Sequence, residues 1–162
     1  MKNIVLIGMM GCGKTTVSKM LSERLDMPMV DVDEYIETKY DITIPEMFDI
    51  SEDYFRNCEQ TCCEIIGKWK GFVISTGGGV IKNPHNIEML KENGVIIYLD
   101  RPIEHILQDI DIQSRPLLKD GPDKLYELYK QRHHLYLEAC DYCVQNTSSL
   151  SHVVDEIVQK IK

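Results

Sequence analysis

The stretch that decides the fold is Ile4-Val5-Leu6-Ile7-Gly8-Met9-Met10-Gly11-Cys12-Gly13-Lys14-Thr15-Thr16. Its first four residues form a continuous apolar run, which is typical of a β-strand covered on both faces. From Gly8 onward the sequence matches G-x-x-x-x-G-K-[ST], and residues 14–25 continue with the apolar spacing of a helix. A strand, a glycine-rich loop and a helix in this order predict a phosphate-binding loop. A glycine-rich turn with a chance lysine is the alternative, and the agreement of motif and context argues against it.

Each part of this loop has a chemical role. Its glycines let successive backbone N–H groups point into one concavity that attracts an anion, and the following helix adds the positive end of its dipole. The Lys14 ammonium can reach β- and γ-phosphate oxygens, and the Thr15 hydroxyl is placed to ligate Mg²⁺. The sequence therefore predicts a site for ATP and Mg²⁺ with nucleotide contacts from Gly11, Cys12, Gly13, Lys14, Thr15 and Thr16.

Composition limits the class of protein. The 162 residues are 43% hydrophobic and 27% charged, which excludes a disordered chain and fits a single domain over residues 1–162. The chain lacks the run of about 20 apolar residues that a membrane span needs, so we expect no membrane association. The formal net charge of -8 argues against a nucleic-acid partner, which would require a dominant positive surface. We expect a monomer. The first apolar run is too short for a signal peptide, so we also expect a cytoplasmic location.

Apolar strands alternate with helical patterns along the chain. This alternation predicts an α/β fold, a three-layer sandwich with a five-stranded parallel sheet and helices on both faces. The predicted strands are residues 4–7, 29–31, 72–75, 95–99 and 141–145. The predicted helices are residues 14–25, 33–40, a short one capped by Thr43, 51–69, 83–93, 102–109, 124–139 and a C-terminal one with apolar residues from 153 to 161. The polar segment 109–123 is predicted to be a mobile or functional loop.

Two carboxylates follow the second predicted strand. Alternation along the strand end puts Asp31 and Asp33 on the same side, near the phosphate loop if the strands are neighbours. Phosphoryl transfer to an alcohol needs a carboxylate that orients the acceptor and ligands that help to hold Mg²⁺. Asp31-Val32-Asp33 can supply both functions. A simple helix cap at either aspartate is the alternative.

Three arginines and a triple glycine complete the candidate site. Arg56 and Glu59 in Phe55-Arg56-x-x-Glu59 share one helix face, so Glu59 can hold Arg56 while it binds a substrate anion through two hydrogen bonds. Arg132 precedes the last strand, and Arg115 lies in the long loop. Residues Gly77, Gly78 and Gly79 follow the third strand, where the backbone must turn tightly or approach another group closely. Each arginine alone is more often a surface charge, so the case rests on the combination.

The six cysteines are predicted to be buried thiols in a reducing cytosol. Cys140-x-x-Cys143 has the spacing of a metal or redox pair, but no second pair accompanies it.

Taken together and in this order, these motifs resemble the shikimate kinase family. The resemblance rests on the phosphate loop, Asp31-x-Asp33, Phe55-Arg56-x-x-Glu59, the triple glycine, Arg115-Pro116-Leu117-Leu118 and Arg132-x-x-Leu135-Tyr136, and it runs from Asn3 to the final helix. It implies a nucleoside-monophosphate-kinase-like fold and transfer of the γ-phosphoryl group of MgATP to the 3-hydroxyl of shikimate. The products would be shikimate 3-phosphate and ADP, within aromatic amino-acid biosynthesis.

The resemblance also implies residue roles. Asp33 would bind the shikimate hydroxyls and orient the attacking one, with Lys14 and Arg115 completing the catalytic set. Arg56 and Arg132 would bind the shikimate carboxylate, and Asp31 would lie near the metal with Thr15. The glycines Gly77, Gly78 and Gly79 would line the substrate site, with backbone N–H groups of the last two directed to the substrate. The substrate-binding segment would span about residues 32–60, and a closing lid that carries Arg115 to the nucleotide would span about residues 109–123.

Three departures and two alternatives accompany this interpretation. The segment Asp109-Ile110-Asp111-Ile112 is acidic, where relatives often carry basic residues. Gln108 stands where many relatives have an arginine packed against adenine, and His134 stands where they have proline. One alternative function is a kinase for another hydroxy acid such as gluconate. The other is a non-catalytic nucleotide-binding module, although a base-specificity motif such as Asn-Lys-x-Asp is absent from the sequence.

Overall fold

Parallel strands form the central sheet of the structure, a computed structural model that describes residues 1–109 and 122–162. The five strands in these two ranges follow the order β2-β3-β1-β4-β5, and every neighbouring pair is parallel. This arrangement confirms the predicted fold class. The strands are β1 Asn3–Ile7, β2 Met29–Asp31, β3 Val73–Ser75, β4 Gly94–Asp100 and β5 Tyr142–Gln145.

Helices cover both faces of the sheet, as expected for parallel strands. They are α1 Lys14–Leu25, α2 Val32–Tyr40, α3 Ile44–Ile50, α4 Glu52–Ile66, α5 Pro84–Glu92, α6 Ile103–Asp109, α7 Pro122–Ala139 and α8 Leu150–Ile161, with a short 3-10 turn at Val80–Lys82. No helix in the described ranges combines the length and the apolar character that crossing a membrane requires.

The alternation of side chains along β1 builds two separate apolar layers. Val5 and Ile7 pack in the layer that contains α2, α4, α5 and α7, whereas Ile4 and Leu6 pack in the layer that contains α1 and α8. All four side chains are buried. Burial of each contributes about 1.5–3 kcal/mol relative to exposure. The central strand is therefore fixed from both sides, and the loop that follows it starts from a rigid base.

Side-chain caps set the start of the three consecutive helices α2, α3 and α4. Asp31 Oδ1 accepts a hydrogen bond from the Glu34 N–H at 3.1 Å and caps α2. Thr43 caps α3 in a capping box with Glu46, as its sequence position predicts. Ser51 Oγ accepts from the Tyr54 N–H at 3.0 Å and caps α4. Loss of such a cap typically costs about 1 kcal/mol.

Several element boundaries differ from prediction. Helix α4 ends at Ile66 rather than near Trp69, because residues 67–69 form a turn in which Trp69 packs against Tyr35 and Phe72. The 3-10 turn at Val80–Lys82 was not predicted, since three residues are too few to show a period. Asp109 belongs to α6, and α7 begins at Pro122, so both ends of the predicted loop 109–123 are helical. Proline suits the first turn of a helix because its missing N–H has no helical partner there.

The thiol prediction fits the described cysteines in large part. Cys12, Cys58, Cys62 and Cys63 are buried, and all six cysteines are free thiols. Cys140 and Cys143 are half-buried. Burial raises the pKa of the Cys143 thiol to about 11, so this thiol is protonated at neutral pH.

Candidate active site

A cleft of about 330 Å³ opens at the carboxyl ends of β1, β2 and β3. It brings together the phosphate loop, the two aspartates after β2 and part of the triple glycine, which are separate in sequence. Its described lining consists of Met10, Gly11, Gly13, Lys14, Thr15, Thr16, Asp31, Asp33, Thr76, Gly77, Gly78 and Arg101. Ligand sites of open parallel sheets lie at this edge, so the position agrees with the architecture.

Lys14 is held inside the phosphate loop, residues 8–16. It is 8% exposed, and its Nζ donates hydrogen bonds to the carbonyl oxygens of Gly8 at 2.6 Å and Met9 at 2.9 Å. Gly13, which precedes Lys14, has φ of 100°, and a methyl group at its Cα would lie 2.9 Å from Asn146 Nδ2. Only glycine adopts this conformation without strain. The loop geometry is therefore fixed by its own residues.

Two side chains that the sequence did not predict hold the phosphate loop through its carbonyl oxygens. Arg101 Nη1 donates to the Gly11 carbonyl oxygen at 2.9 Å, and Asn146 Nδ2 donates to the Cys12 carbonyl oxygen at 2.8 Å. Carbonyl oxygens repel an anion, so donors that engage them favour an anion-binding loop. Both residues follow strands, which is the one sequence signal that could have indicated them.

Cys12 differs from the other predicted loop residues. It does not line the cleft, because its side chain is buried in the apolar layer of α1 and α8. Its N–H donates to the Met9 carbonyl oxygen at 3.1 Å, and its Sγ lies 3.7 Å from Lys14 Nζ. Its contribution to the site is through the shape of the loop.

Asp31 has two partners, one on each carboxylate oxygen. Besides the cap to Glu34, its Oδ2 accepts from Thr15 Oγ1 at 3.4 Å. The capping interpretation and the proximity to Thr15 both hold. A hydroxyl and a carboxylate oxygen are donors that fit Mg²⁺, which usually takes one or two protein ligands and completes its shell with water and phosphate oxygens.

Asp33 lies in the first turn of α2 and lines the cleft. Its Oδ1 is buried and has no hydrogen-bond partner among the described residues. Burial, reinforced by the nearby Asp31 carboxylate, raises the pKa of Asp33 to about 6, although Lys14 and Arg56 act in the opposite direction. The carboxylate thus lines the same cleft as the phosphate loop, and one of its oxygens is buried and unpaired in the described structure.

Arg56 is fixed by two carboxylates on its own helix. Its Nη1 donates to Glu59 Oε1 at 3.1 Å, and its Nε donates to Glu52 Oε2 at 3.1 Å. Glu52 Oε2 also accepts from Lys82 Nζ at 2.6 Å. The guanidinium lies 5.0 Å from the Phe55 ring centroid. The pairing with Glu59 follows the predicted spacing, whereas Glu52 and Lys82 were not predicted.

Glu59 is almost completely buried, at 1% exposure, and its Oε2 has no partner among the described residues. Burial raises the pKa of Glu59, and the neighbouring guanidinium of Arg56 counteracts the rise. Arg132 also acts on this carboxylate in the direction of a lower pKa. Both guanidinium groups are therefore close enough to act on this buried acid, and Arg56 is the one with a described hydrogen bond to it.

Arg56 and Arg132 meet the triple glycine at adjacent positions. A methyl group at Gly79 would lie 2.5 Å from both Nη atoms of Arg56, and one at Gly78 would lie 3.6 Å from Arg132 Nη1. Arg132, on α7, is 5% exposed, and Tyr136 one turn later donates from its hydroxyl to the Gly78 carbonyl oxygen. A side chain at position 79 would therefore displace the Arg56 guanidinium from its present position.

A second cleft of about 310 Å³ continues from the first. The two share Gly13, Thr16 and Arg101. The rest of the described lining of the second cleft is His105, Asn146, Thr147, Ser148 and Leu150, from α6 and the loop after β5. The phosphate loop therefore lies between two spaces, one toward β2 and one toward β5.

Arg115 and most of the predicted lid lie outside the described residues, which exclude 110–121. Among the predicted site residues within the described ranges, the structure brings together the phosphate loop, Asp31, Asp33, Gly77 and Gly78 at the cleft. Next to them it places Arg56, which lies against Gly79, and Arg132, which lies against Gly78.

A phosphate loop after the central strand of a parallel sheet, with a hydroxyl–carboxylate pair and clefts on both sides, places the chain in the P-loop class of nucleotide-binding proteins. The family model "Shikimate kinase" matches residues 10–162. The chain therefore belongs to the shikimate kinase family, as its sequence motifs predicted. It is a kinase, and this family uses ATP as a substrate.

Individual relatives agree with this assignment. A shikimate kinase of Clostridium botulinum (strain Alaska E43 / Type E3) is 47% identical over 158 residues, which are 97% of this chain and 96% of the relative. One from Clostridium beijerinckii is 44% identical over 99% of this chain and 96% of the relative. The solved structure of shikimate kinase from Acinetobacter baumannii in complex with shikimate matches with a TM-score of 0.93 and 37% identity, over 99% of this chain and 93% of that one.

Proposed function

We propose that this chain transfers the γ-phosphoryl group of ATP to the 3-hydroxyl of shikimate and releases ADP and shikimate 3-phosphate. One observation carries the proposal. A phosphate loop opens into the same cleft as the half-buried Asp33, while Arg132 lies against Gly78, which lines this cleft, and Arg56 lies against the adjacent Gly79. A phosphoryl donor, an alcohol acceptor and an anionic group on the acceptor each have a matching partner there.

On the donor side, Lys14 is the residue proposed to neutralise charge that develops between the β- and γ-phosphates. Fixed donors of this kind lower the barrier because they need no reorganisation during the reaction. Thr15 and Asp31 are proposed to hold Mg²⁺, which supplies further neutralisation of the triphosphate when bound. The oxygen donors of these two residues, 3.4 Å apart, support this assignment.

The second cleft is proposed to receive the adenosine part of ATP. It continues directly from the phosphate loop through Gly13 and Thr16, so a nucleotide can extend from one cleft into the other. Its lining mixes backbone, hydroxyl and amide groups with Leu150, which suits a base that needs both an apolar face and hydrogen bonds.

On the acceptor side, Asp33 is proposed to orient the attacking hydroxyl and to accept its proton. With a pKa of about 6, its carboxylate is mostly ionised at pH 7.5 and still basic enough to interact strongly with a hydroxyl proton. The transition state of phosphoryl transfer is loose in most analyses, so much of the contribution comes from orientation.

Arg56 and Arg132 are proposed to bind the shikimate carboxylate. A planar guanidinium can donate two parallel hydrogen bonds to a carboxylate, and Glu59 holds Arg56 in place for this purpose. Backbone N–H groups of residues 77–79 are proposed to line the same site. Arg115 in a closing lid, the monomeric state and the cytoplasmic location stay predictions from sequence.

The test is ADP release by the purified protein with ATP and Mg²⁺, in the presence of shikimate, of gluconate or of no acceptor. We expect release that depends on shikimate, with the phosphate ester at position 3 identified by NMR. Lys14→Met, prepared in parallel, gives the background of contaminating ATPases. Preference for gluconate would replace shikimate as the acceptor, and equal release without any acceptor would contradict a kinase function.

A further inference from the structure

We propose that Arg101 binds the nucleotide directly and contacts the α-phosphate, where the triphosphate joins the adenosine. This inference rests on the proposed function. Its basis is position, because Arg101 lines both clefts together with two phosphate-loop residues, Gly13 and Thr16. A nucleotide with phosphates in one cleft and its base in the other must pass this junction.

The chain fixes Arg101 both at its backbone and at its guanidinium group. The preceding Asp100 is buried, and its carboxylate accepts from Tyr129 Oη at 3.2 Å and from Gln145 Nε2 at 3.2 Å. Its carbonyl oxygen accepts from the Asn146 N–H at 2.7 Å. At the other end, Nη1 of Arg101 bonds to the Gly11 carbonyl oxygen. The guanidinium is thus preorganised next to the phosphate loop, which reduces the entropy cost of binding an anion.

The charge distribution indicates which phosphate Arg101 serves. The described residues of the first cleft include two cations, Lys14 and Arg101, and two carboxylates, Asp31 and Asp33. In the second cleft, Arg101 is the one described lining residue with a permanent charge. Because Asp33 marks the acceptor end, the γ-phosphate lies toward it and the α-phosphate toward the second cleft. The cation at the junction therefore meets the α-phosphate.

A purely structural role predicts a different kinetic effect. If Arg101 only supported the Gly11 carbonyl, its loss would distort the phosphate loop and lower kcat, because the loop also positions the γ-phosphate. If it binds the α-phosphate, its loss weakens binding of ATP and ADP while the chemistry at the γ-phosphate proceeds. The ratio of the change in KM for ATP to the change in kcat separates the two roles.

The experiment compares Arg101→Gln and Arg101→Lys with the wild-type enzyme. The control is Arg24→Gln, which removes an exposed arginine paired with Asp155 between α1 and α8. We expect Arg101→Gln to raise KM for ATP and the calorimetric Kd for ADP about 10-fold, equivalent to about 1.4 kcal/mol. KM for shikimate should stay within about twofold, and kcat should fall by less than KM for ATP rises, because the variant also loses the bond to the Gly11 carbonyl oxygen. In Arg101→Lys, KM for ATP and Kd for ADP should rise about threefold, since an ammonium keeps the charge but not the planar fork.

The outcomes are distinguishable. An unchanged Kd for ADP in Arg101→Gln, or a fall in kcat with KM for ATP unchanged, would overturn the inference. The inference would also be overturned if Kd for ADP rose as much in Arg24→Gln as in Arg101→Gln. Should Arg101→Gln fail to fold by circular dichroism, Arg101→Lys decides alone, and wild-type ADP affinity in that variant would count against the contact. Failure of the wild-type enzyme to release ADP with shikimate would instead contradict the proposed function.

Discussion

The two sides of the proposed site differ in how their polar groups are paired. On the side proposed for the nucleotide, the carbonyl oxygens of Gly8, Met9 and Gly11 accept hydrogen bonds from side chains of the chain itself. On the side proposed for the acceptor, Asp33 Oδ1 and Glu59 Oε2 are buried without a partner in the described structure. Native proteins leave few buried polar groups unpaired, and those that occur often serve function. The nucleotide side is therefore assembled in advance, and the acceptor side carries a desolvation cost that a ligand rich in hydroxyl groups can relieve.

Lys14→Met breaks the assembled side and should have the largest effect. It removes the ammonium and both hydrogen bonds to the loop carbonyls, and fixed charge stabilisation of this kind is worth several kcal/mol. We expect kcat to fall about 1000-fold in an assay of ADP release. Lys39→Met, an exposed lysine on α2, is the control and should keep wild-type turnover. A folded Lys14→Met enzyme with turnover within tenfold of wild type would refute the role of the loop.

Asp33→Asn tests the acceptor side and should lower kcat about 100-fold, the usual scale for a positioned acid–base group. KM for ATP should change less than threefold. In the wild-type enzyme, kcat/KM for shikimate should rise with pH through about 6, because the carboxylate must lose its proton first. That limb of the profile should be absent in Asp33→Asn. Glu34→Gln, an exposed neighbour, is the control. If Asp33→Asn changed only KM for ATP, Asp33 would belong to the nucleotide side of the site and not to the acceptor side.

Arg56→Ala should raise KM for shikimate about 30-fold and leave KM for ATP within twofold. A lost charged hydrogen bond costs roughly 1.5–3 kcal/mol, and the loss also leaves Glu59 without its partner. Arg56→Lys should weaken shikimate binding as well, because an ammonium does not replace the planar fork. The comparison uses steady-state kinetics with Lys68→Ala as the matched surface variant. Normal shikimate binding by Arg56→Lys would exclude the two-bond geometry.

The smallest effect is on the free energy of unfolding, and it tests directly whether the acceptor side carries the cost of a buried carboxylate. The folded-state pKa of Asp33, about 6, lies above its ordinary value of 3.8, so the native state binds this proton more tightly than the unfolded state. Wild-type stability from this group is therefore lost as pH rises from about 4 to 7. Asp33→Asn should be more stable than wild type by roughly 1–3 kcal/mol at pH 8 and about equal near pH 3. Urea denaturation across this range measures the difference, and a pH-independent difference would contradict the buried-carboxylate explanation.

Sequence was sufficient where function depends on short spacings. The phosphate loop lies within nine residues, Asp31 and Asp33 are two residues apart, and Arg56 and Glu59 are one helical turn apart. Such spacings fix which side chains share a face, so local pattern predicts the contact. The alternation of strands and helices was likewise enough for the sheet and its layers.

Sequence was insufficient where a contact joins distant parts of the chain. Arg101 and Gly11 are 90 positions apart, and Asn146 and Cys12 are 134 apart. Such contacts depend on the strand order, and periodicity does not determine that order. The bond of Lys82 to Glu52 is of the same kind. These residues carry no motif of their own, and only the folded arrangement brings them to the site.

The strand order has a consequence for how such enzymes diversify. β1 lies in the middle, with β3 and β2 on one side and β4 and β5 on the other, so the phosphate loop after β1 lies between the two clefts. Helices α2 to α4, one uninterrupted stretch of chain between β2 and β3, contain Asp33, Arg56 and Glu59. With the proposed roles, replacement of this single stretch would exchange most of the acceptor site at once, with Arg132 on α7 and the triple glycine as the acceptor-side parts outside it, while the phosphate loop continued to serve the same donor.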